Sequence, residues 1–204
     1  MIFAAAMLLT SQAVGRAEGH GALHFEYGCE WGYTANLFYY YHIHYISRDT
    51  GARVDTQESK MVYRSLGDVM LYAGAEIGEK WNIDLNCGYA GIFDNRRVVP
   101  LTVRGTFFPK GRGHLKTKLF LEGGTAFARS YDGGMPAIVK LGVGKRIELA
   151  RRVSLDFNAA VQLCHDRPTS VFDEVHHVQV EQAQLRQSNA MYAGINLSMA
   201  LNFR

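Results

Sequence analysis

No apolar run in the sequence approaches the ~20 residues that a membrane-spanning helix requires, which excludes a helical membrane protein. Proline is scarce at four residues. The three cysteines, Cys29, Cys87 and Cys164, cannot all pair internally, and none has the CxxC spacing of a zinc or redox site. They read as small apolar residues, buried or facing lipid. A clustered basic face is also missing: 22 Lys and Arg stand against 19 Asp and Glu, scattered along the chain, for a net charge of +3. Nucleic acid is therefore excluded as a partner, because phosphate backbones demand concentrated positive charge. What is abundant is glycine (21) and the pair Phe and Tyr (11 each), a mixture typical of sheet. With 204 residues, 48% of them hydrophobic and 20% charged, the chain is neither disordered nor of low complexity, and it is long enough for one domain with a real core.

The first 15 residues, MIFAAAMLLTSQAVG, carry no charged side chain, and the apolar stretch Ile2 to Leu9 is followed by small residues, with Ala13 and Ala17 as cleavage positions. This pattern predicts a secretory signal peptide over residues 1–17 and a single domain over 18–204.

Period-two alternation dominates the remainder. Leu23, Phe25, Tyr27, Cys29, Trp31, Tyr33, Ala35, Leu37, Tyr39, Tyr41, Ile43 and Tyr45 alternate with positions that include His24, Glu26, Glu30, Thr34, Asn36, His42 and His44. They form one very long strand, or a hairpin broken near Gly32 to Asn36. Further alternating runs start at Val69, Ile83, Val99, Leu119, Ala137, Val153 and Ala193. The count is eight strands with residues 22–46 as one strand; eight against ten stays open, because that segment reads equally as a hairpin. The turns over 79–81, 110–114 and 150–152 are short, whereas two connections on the opposite side, 47–65 and 167–188, are long.

Alternation alone leaves the inward face open, because a soluble barrel and an outer-membrane barrel both alternate, with opposite faces in the lumen. The polar face here carries many glycines and both signs of charge: Glu26, Glu30, Glu76, Asp84, Glu122, Glu148 and Asp156 against Arg104, Lys118, Lys140 and Arg146. Such a set can neutralise itself by ion pairing inside a narrow barrel, where unpaired charges would be prohibitive. The apolar face is nearly free of charge over the ~9 to 11 residues per strand that an outer membrane requires; Lys145, near a strand end, is placed to snorkel. Tyr39, Tyr41 and Tyr45 at one edge and Trp81, Phe107, Phe108 and Phe203 at the other suit two interfacial girdles. The expected fold is therefore an all-β, eight-stranded, antiparallel, up-and-down transmembrane barrel.

These features resemble a known group. The leader, the alternating strands and a last strand AGINLSMALNFR with an aromatic near its end look like the small outer-membrane β-barrel proteins of Gram-negative bacteria, such as outer-membrane proteins A and X. The segments VVPLTVRGTFFP, LFLEGGTAFA and IVKLGVGKRIEL are similar to a pattern of barrels from Bacteroides-like bacteria. The resemblance spans roughly residues 22–204. It implies outer-membrane location, contact with membrane lipid and lipopolysaccharide, and recognition of the last strand by the barrel-assembly machinery. Arg204 departs from the pattern, which usually ends on an aromatic residue.

The candidate external binding residues are His42, His44, His165, His176 and His177, toward or beyond one rim. Imidazoles at i and i+2 project from one strand face, and Asp173 and Glu174 lie near the second pair. Rim and loop histidines have the same spacing without a metal, and no metal or other cofactor is assigned. Ser47 near His44 and Ser170 near His165 raise a lipid A acylase or deacylase as an alternative. Nothing fixes a third orienting residue, so no catalytic residue is assigned. A secreted lipocalin-like carrier is the second alternative. The reading adopted is a non-enzymatic barrel with a plugged polar lumen, whose long loops contact an external ligand or protein or maintain the envelope.

Overall fold

The structure is a computed structural model that describes residues 24–48, 50–78, 80–92, 96–109, 115–127, 135–169, 171–173 and 176–204. The expected leader, the 110–114 turn, Glu174 and Ser170 lie outside them.

Eight strands close a barrel: β1 (His24–Ile46), β2 (Arg53–Ile77), β3 (Trp81–Ile92), β4 (Arg96–Phe107), β5 (Leu115–Phe127), β6 (Ala137–Ala150), β7 (Val153–Asp166) and β10 (Leu185–Phe203). Each is antiparallel to its neighbours, and β10 returns to pair with β1. Two three-residue strands, β8 (Val171–Asp173) and β9 (Val178–Val180), form a separate hairpin within the β7–β10 connection. The segment 24–46 is thus a single strand, and the up-and-down order follows from short turns that can join only adjacent antiparallel strands. At one of these turns Gly78 adopts a φ of +62°, a conformation that a Cβ would strain.

Following directly opposed residues around the ring gives the stagger of the barrel. The path runs from Tyr27 through Ala73, Leu85, Val103, Gly123, Val139, Leu163 and Ala193 to Phe38, so it re-enters β1 eleven positions further on. A displacement of this size tilts every strand against the barrel axis.

The two faces are inverted relative to a water-soluble barrel. On β6, Lys140, Gly142, Gly144 and Arg146 are buried inside, whereas Val139, Leu141, Val143 and Lys145 point outward; Arg146 is 2% exposed and Leu141 65%. A lipocalin-like carrier needs the reverse arrangement, so that alternative does not fit. At the short-turn end the outer face bears Trp81 against Phe107 (centroids 4.7 Å apart) and Tyr27 stacked on Phe203 (5.6 Å). Toward the other end, Phe38, Met61, Tyr63, Tyr89 and Phe127 are exposed.

Three expectations need correction. Tyr41 and Tyr45 do not belong to an outer girdle: they are 1% and 3% exposed and face inward, and Tyr39 is half-buried. The cause is a register shift between Asn36 and Phe38 in both ladders of β1, where Leu37 is an extra residue against β10. One inserted residue sends every later side chain to the opposite face. Phe108 is likewise 2% exposed, turned into the barrel instead of toward a girdle. Finally, the 47–65 connection is mostly strand: β2 starts at Arg53 and pairs with β1 as far as Ile46. β1, β2 and β10 therefore stand above the other strands as a three-stranded wall.

Candidate functional site

The inward side chains form storeys along the axis. Nearest the short turns, Arg146 donates from Nη1 and Nη2 to the two carboxylate oxygens of Glu26 (2.8 and 2.5 Å) and from Nε to Asp156 Oδ1 (2.7 Å). Lys118 pairs with the other oxygen of Asp156. The Phe108 ring lies 5.3 Å from the Arg146 guanidinium and closes this storey. Tyr72 donates to Asn202 Oδ1 at 2.5 Å, and the Arg146 Nη2 donates to the same oxygen at 3.0 Å.

Arg204, the departure from the terminal pattern, turns back into the same storey. Its guanidinium lies 3.4 Å from Glu26, 3.2 Å from Glu76 and 3.9 Å from Glu148. Lys116 completes the group by donating to Glu148 at 2.6 Å. Asp84 accepts an N–H from the Asn82 amide at 3.0 Å.

The second storey centres on Arg104, which meets Glu30 at 2.5 Å and Glu122 at 2.6 and 2.8 Å. Ser198 donates to Glu30 (2.6 Å) and Thr102 to Glu122 (2.8 Å). Lys140 bridges Asp68 (3.7 Å) and Glu122 (3.9 Å), while Asn196 donates to Asp68 at 2.9 Å. Sequence reasoning missed Asp68, Lys116 and Arg204. Asp68 and Lys116 share the inward phase of the residues named, and were legible by extending the alternation two residues at a time.

Above this storey the lumen turns apolar. Val98, Ala126, Ile138, Cys164, Ala190 and Tyr192 pack together, with Tyr39 stacked on Tyr192 at 5.1 Å. Cys29 is half-buried and Cys87 faces outward; both, like Cys164, are free thiols. Higher still, Tyr41, Ile43 and Tyr45 on the tall wall pack against Val180 of the β8–β9 hairpin.

The hairpin is fastened to the wall by one carboxylate. Asp173, 0% exposed, accepts from Tyr45 Oη (2.9 Å), Thr56 Oγ1 (3.1 Å) and His176 Nδ1 (2.8 Å), and from the His176 backbone N–H (3.3 Å). Burial pushes the Asp173 carboxyl up, but the hydrogen bonds from His176, Tyr45 and Thr56 outweigh it and hold the group below the usual carboxylate range. The same environment pushes the Tyr45 phenol up to about 12, through burial first and then the bond to Asp173.

The five candidate histidines are not brought together. His42 lies on the outer face of the wall against Asp55 at 2.7 Å. His44 stands across from Asp55 and Gln187, and His165 across from Met191. His176 serves the Asp173 latch, and His177 turns the hairpin with a φ of 52°. Among the described residues, no three of His, Cys, Asp and Glu group to hold a metal.

No protein-family model matches the chain, and no curated protein does. Among solved structures it is similar to the crystal structure of the outer membrane protein OprG from Pseudomonas aeruginosa, with a TM-score of 0.54 at 10% identity, over 92% of this chain and 98% of that one. The chain has the fold of an outer-membrane β-barrel. At this identity the likeness speaks for the fold alone, and the Bacteroides-like and A/X-like patterns are resemblances of sequence.

Proposed function

We propose that this chain is a non-enzymatic protein of a Gram-negative outer membrane, with a plugged lumen and an external wall and hairpin that serve surface binding. The observation that carries the reading is the inversion of its faces. A nearly uncharged apolar band outside, with Lys145 as its exception, and ion-paired arginines inside are stable only where lipid surrounds the barrel. In this placement the short turns face the periplasm, and β1, β2 and β10 rise above the outer leaflet. Trp81, Phe107, Tyr27 and Phe203 then anchor the periplasmic interface, and Lys145 snorkels toward it.

The lumen reads as a plug. Eight strands enclose a space just wide enough for side chains, and Arg104, Arg146 and Phe108 occupy it. The paired charges fix the barrel from within, and the apolar storey above them further blocks water. Outer-membrane lipid and lipopolysaccharide are the constant partners, and the last strand, with Phe203 on its outer face, is the segment offered to the barrel-assembly machinery. A lipid A acylase or deacylase is not adopted: among the described residues no third residue is identified that would orient His44 or His165 as the base of a serine nucleophile.

The test has two arms. Fractionated cells should hold the protein in the outer membrane, and unheated samples should migrate faster than boiled ones in detergent gels. Planar-bilayer recordings should lack discrete conductance. Extraction as a soluble monomer without detergent would overturn the reading.

A further inference from the structure

Beyond the apolar band, where the end of β7 diverges from the start of β10, the external connection encloses a cavity of about 490 Å³. Its lining includes Arg167, Thr169, Gln182, Arg186, Gln187 and Asn189, and holds no carboxylate among the described residues. The acids adjacent in sequence are not among its lining residues. Asp166 is buried and accepts the Arg167 backbone N–H at 2.8 Å, and Glu181 is outside the lining. Neither arginine belongs to an ion pair found among the described residues, in contrast to Arg104, Arg146 and Arg204.

The walls are tied in place. Ser188 Oγ donates to the Pro168 carbonyl at 2.6 Å, joining the two sides of the cavity. The Ile46 N–H donates to the Gln184 carbonyl at 3.1 Å, holding the Gln182–Gln187 side against β1. Two arginines outside every ion pair found among the described residues line one concave site together with glutamines, an asparagine and a threonine, a set of residue types with the chemistry for an oxyanion with sugar hydroxyls around it. The volume lies within the range of ligand pockets.

Height narrows the ligand class. Leu163 on β7 and Met191 on β10 are the last exposed apolar residues before the connection, so Arg167, four residues past Leu163, and Arg186, five before Met191, lie beyond the lipid band. We propose that this cavity binds a phosphorylated saccharide. Arg167 and Arg186 hold the phosphate, and Gln182, Gln187 and Asn189 take the sugar hydroxyls. The inference rests on the outer-membrane reading for the height of the site, and two sources supply such a ligand there: the headgroup of lipopolysaccharide, or a free sugar phosphate.

The test is titration calorimetry of the refolded full chain in detergent at low salt, with glucose 1,6-bisphosphate, glucose and purified lipopolysaccharide as probes. Saturable binding of the bisphosphate supports the site with a free sugar phosphate as ligand. Binding of lipopolysaccharide but not the bisphosphate supports it with the lipid headgroup as ligand. In either case glucose should not bind, and the double variant Arg167→Gln/Arg186→Gln should weaken binding by about tenfold or more. The proposal is overturned if neither phosphorylated probe binds, or if the double variant binds as tightly as the parent. Heat-modifiable migration, measured on the same samples, reports the barrel separately. A variant that keeps the gel shift but loses the ligand speaks to the site, and loss of the shift in the parent speaks against the membrane reading.

Discussion

Arg146 and Glu26, 120 residues apart in sequence, face each other across the barrel with two guanidinium nitrogens on two carboxylate oxygens at 2.8 and 2.5 Å. The pair joins β6 to β1 through the lumen, a connection that the strand ladder does not make. Glu26 is 1% exposed and Arg146 2%, so removing one partner leaves the other charged in a site with little water. Arg146→Met and Glu26→Gln should each destabilise the barrel by roughly 3–5 kcal/mol. The double variant should lose less than the sum, since each change removes the charge that the other would strand. Urea unfolding in lipid vesicles, read as a double-mutant cycle, checks this. Additive losses would mean that the two groups do not depend on each other.

Gly28 leaves room for the Tyr72 ring. A Cβ at Gly28 would press on the Tyr72 phenol and on the Leu201 carbonyl, and Tyr72 is fixed by its bond to Asn202. Gly28→Val should therefore cost about 1–3 kcal/mol or more, because the added atoms meet a backbone carbonyl as well as a buried, hydrogen-bonded tyrosine. Tyr72→Phe removes only the hydroxyl and should cost about 1 kcal/mol. Unfolding midpoints of the two variants rank these costs, and a Gly28→Val midpoint equal to the parent's would refute the close approach.

Asp173 makes the β8–β9 hairpin sensitive to acid. Its folded pKa is lowered from an ordinary 3.8, so the stabilisation is fully present above that value and is lost as pH falls through the folded value. Tyr45, pushed up to about 12 from 10.0, favours the protonated phenol; its share is present below pH 10 and fades as pH rises through the folded value. Opening of residues 171–180, read as hydrogen exchange relative to the intrinsic exchange rate at each pH, should stay slow across neutral pH and quicken in strong acid. Asp173→Asn should raise the rate at neutral pH and flatten its acid dependence. An unchanged profile in that variant would remove Asp173 from the latch.

The two tryptophans give a measure of depth. Trp81 is 54% exposed and Trp31 40%, both on the outer face, with Trp81 beside the short turns and Trp31 further along its strand. In vesicles, lipids brominated deep in the acyl chain should quench Trp31 better than Trp81, and labels near the headgroup should do the reverse. Single-tryptophan variants Trp81→Phe and Trp31→Phe separate the two signals. Equal quenching by water-soluble iodide at both positions would contradict a lipid-facing band.

Much of this architecture was legible because a strand must alternate. Where polar and apolar residues strictly interleave, as in Lys140 to Arg146, each residue's face follows from its phase. Where the sequence stops interleaving, phase is lost. Leu37, Phe38, Tyr39, Tyr40 and Tyr41 are all apolar or aromatic, so the extra residue at Leu37 leaves no mark in the pattern, and Tyr41 and Tyr45 are assigned to the wrong side. Similarly, the polar stretch Asp55 to Lys60 reads as a loop. It is held as strand by its pairing with the upper half of β1, from His44 back to Tyr39.

The amino-acid sequence by itself determined the alternating strands of the barrel, their up-and-down order and the composition of its two faces. These follow from local rules: period two, short turns, and enough charge of both signs to neutralise one face. The tertiary structure decided which acid meets which base, that Arg204 folds back to Glu26 and Glu76, and that Asp173 ties a hairpin to the wall. It also decided that Arg167 and Arg186 share a cavity. Such contacts depend on the stagger of the closed barrel. That stagger is the sum of all eight registers, so no single segment of the sequence contains it.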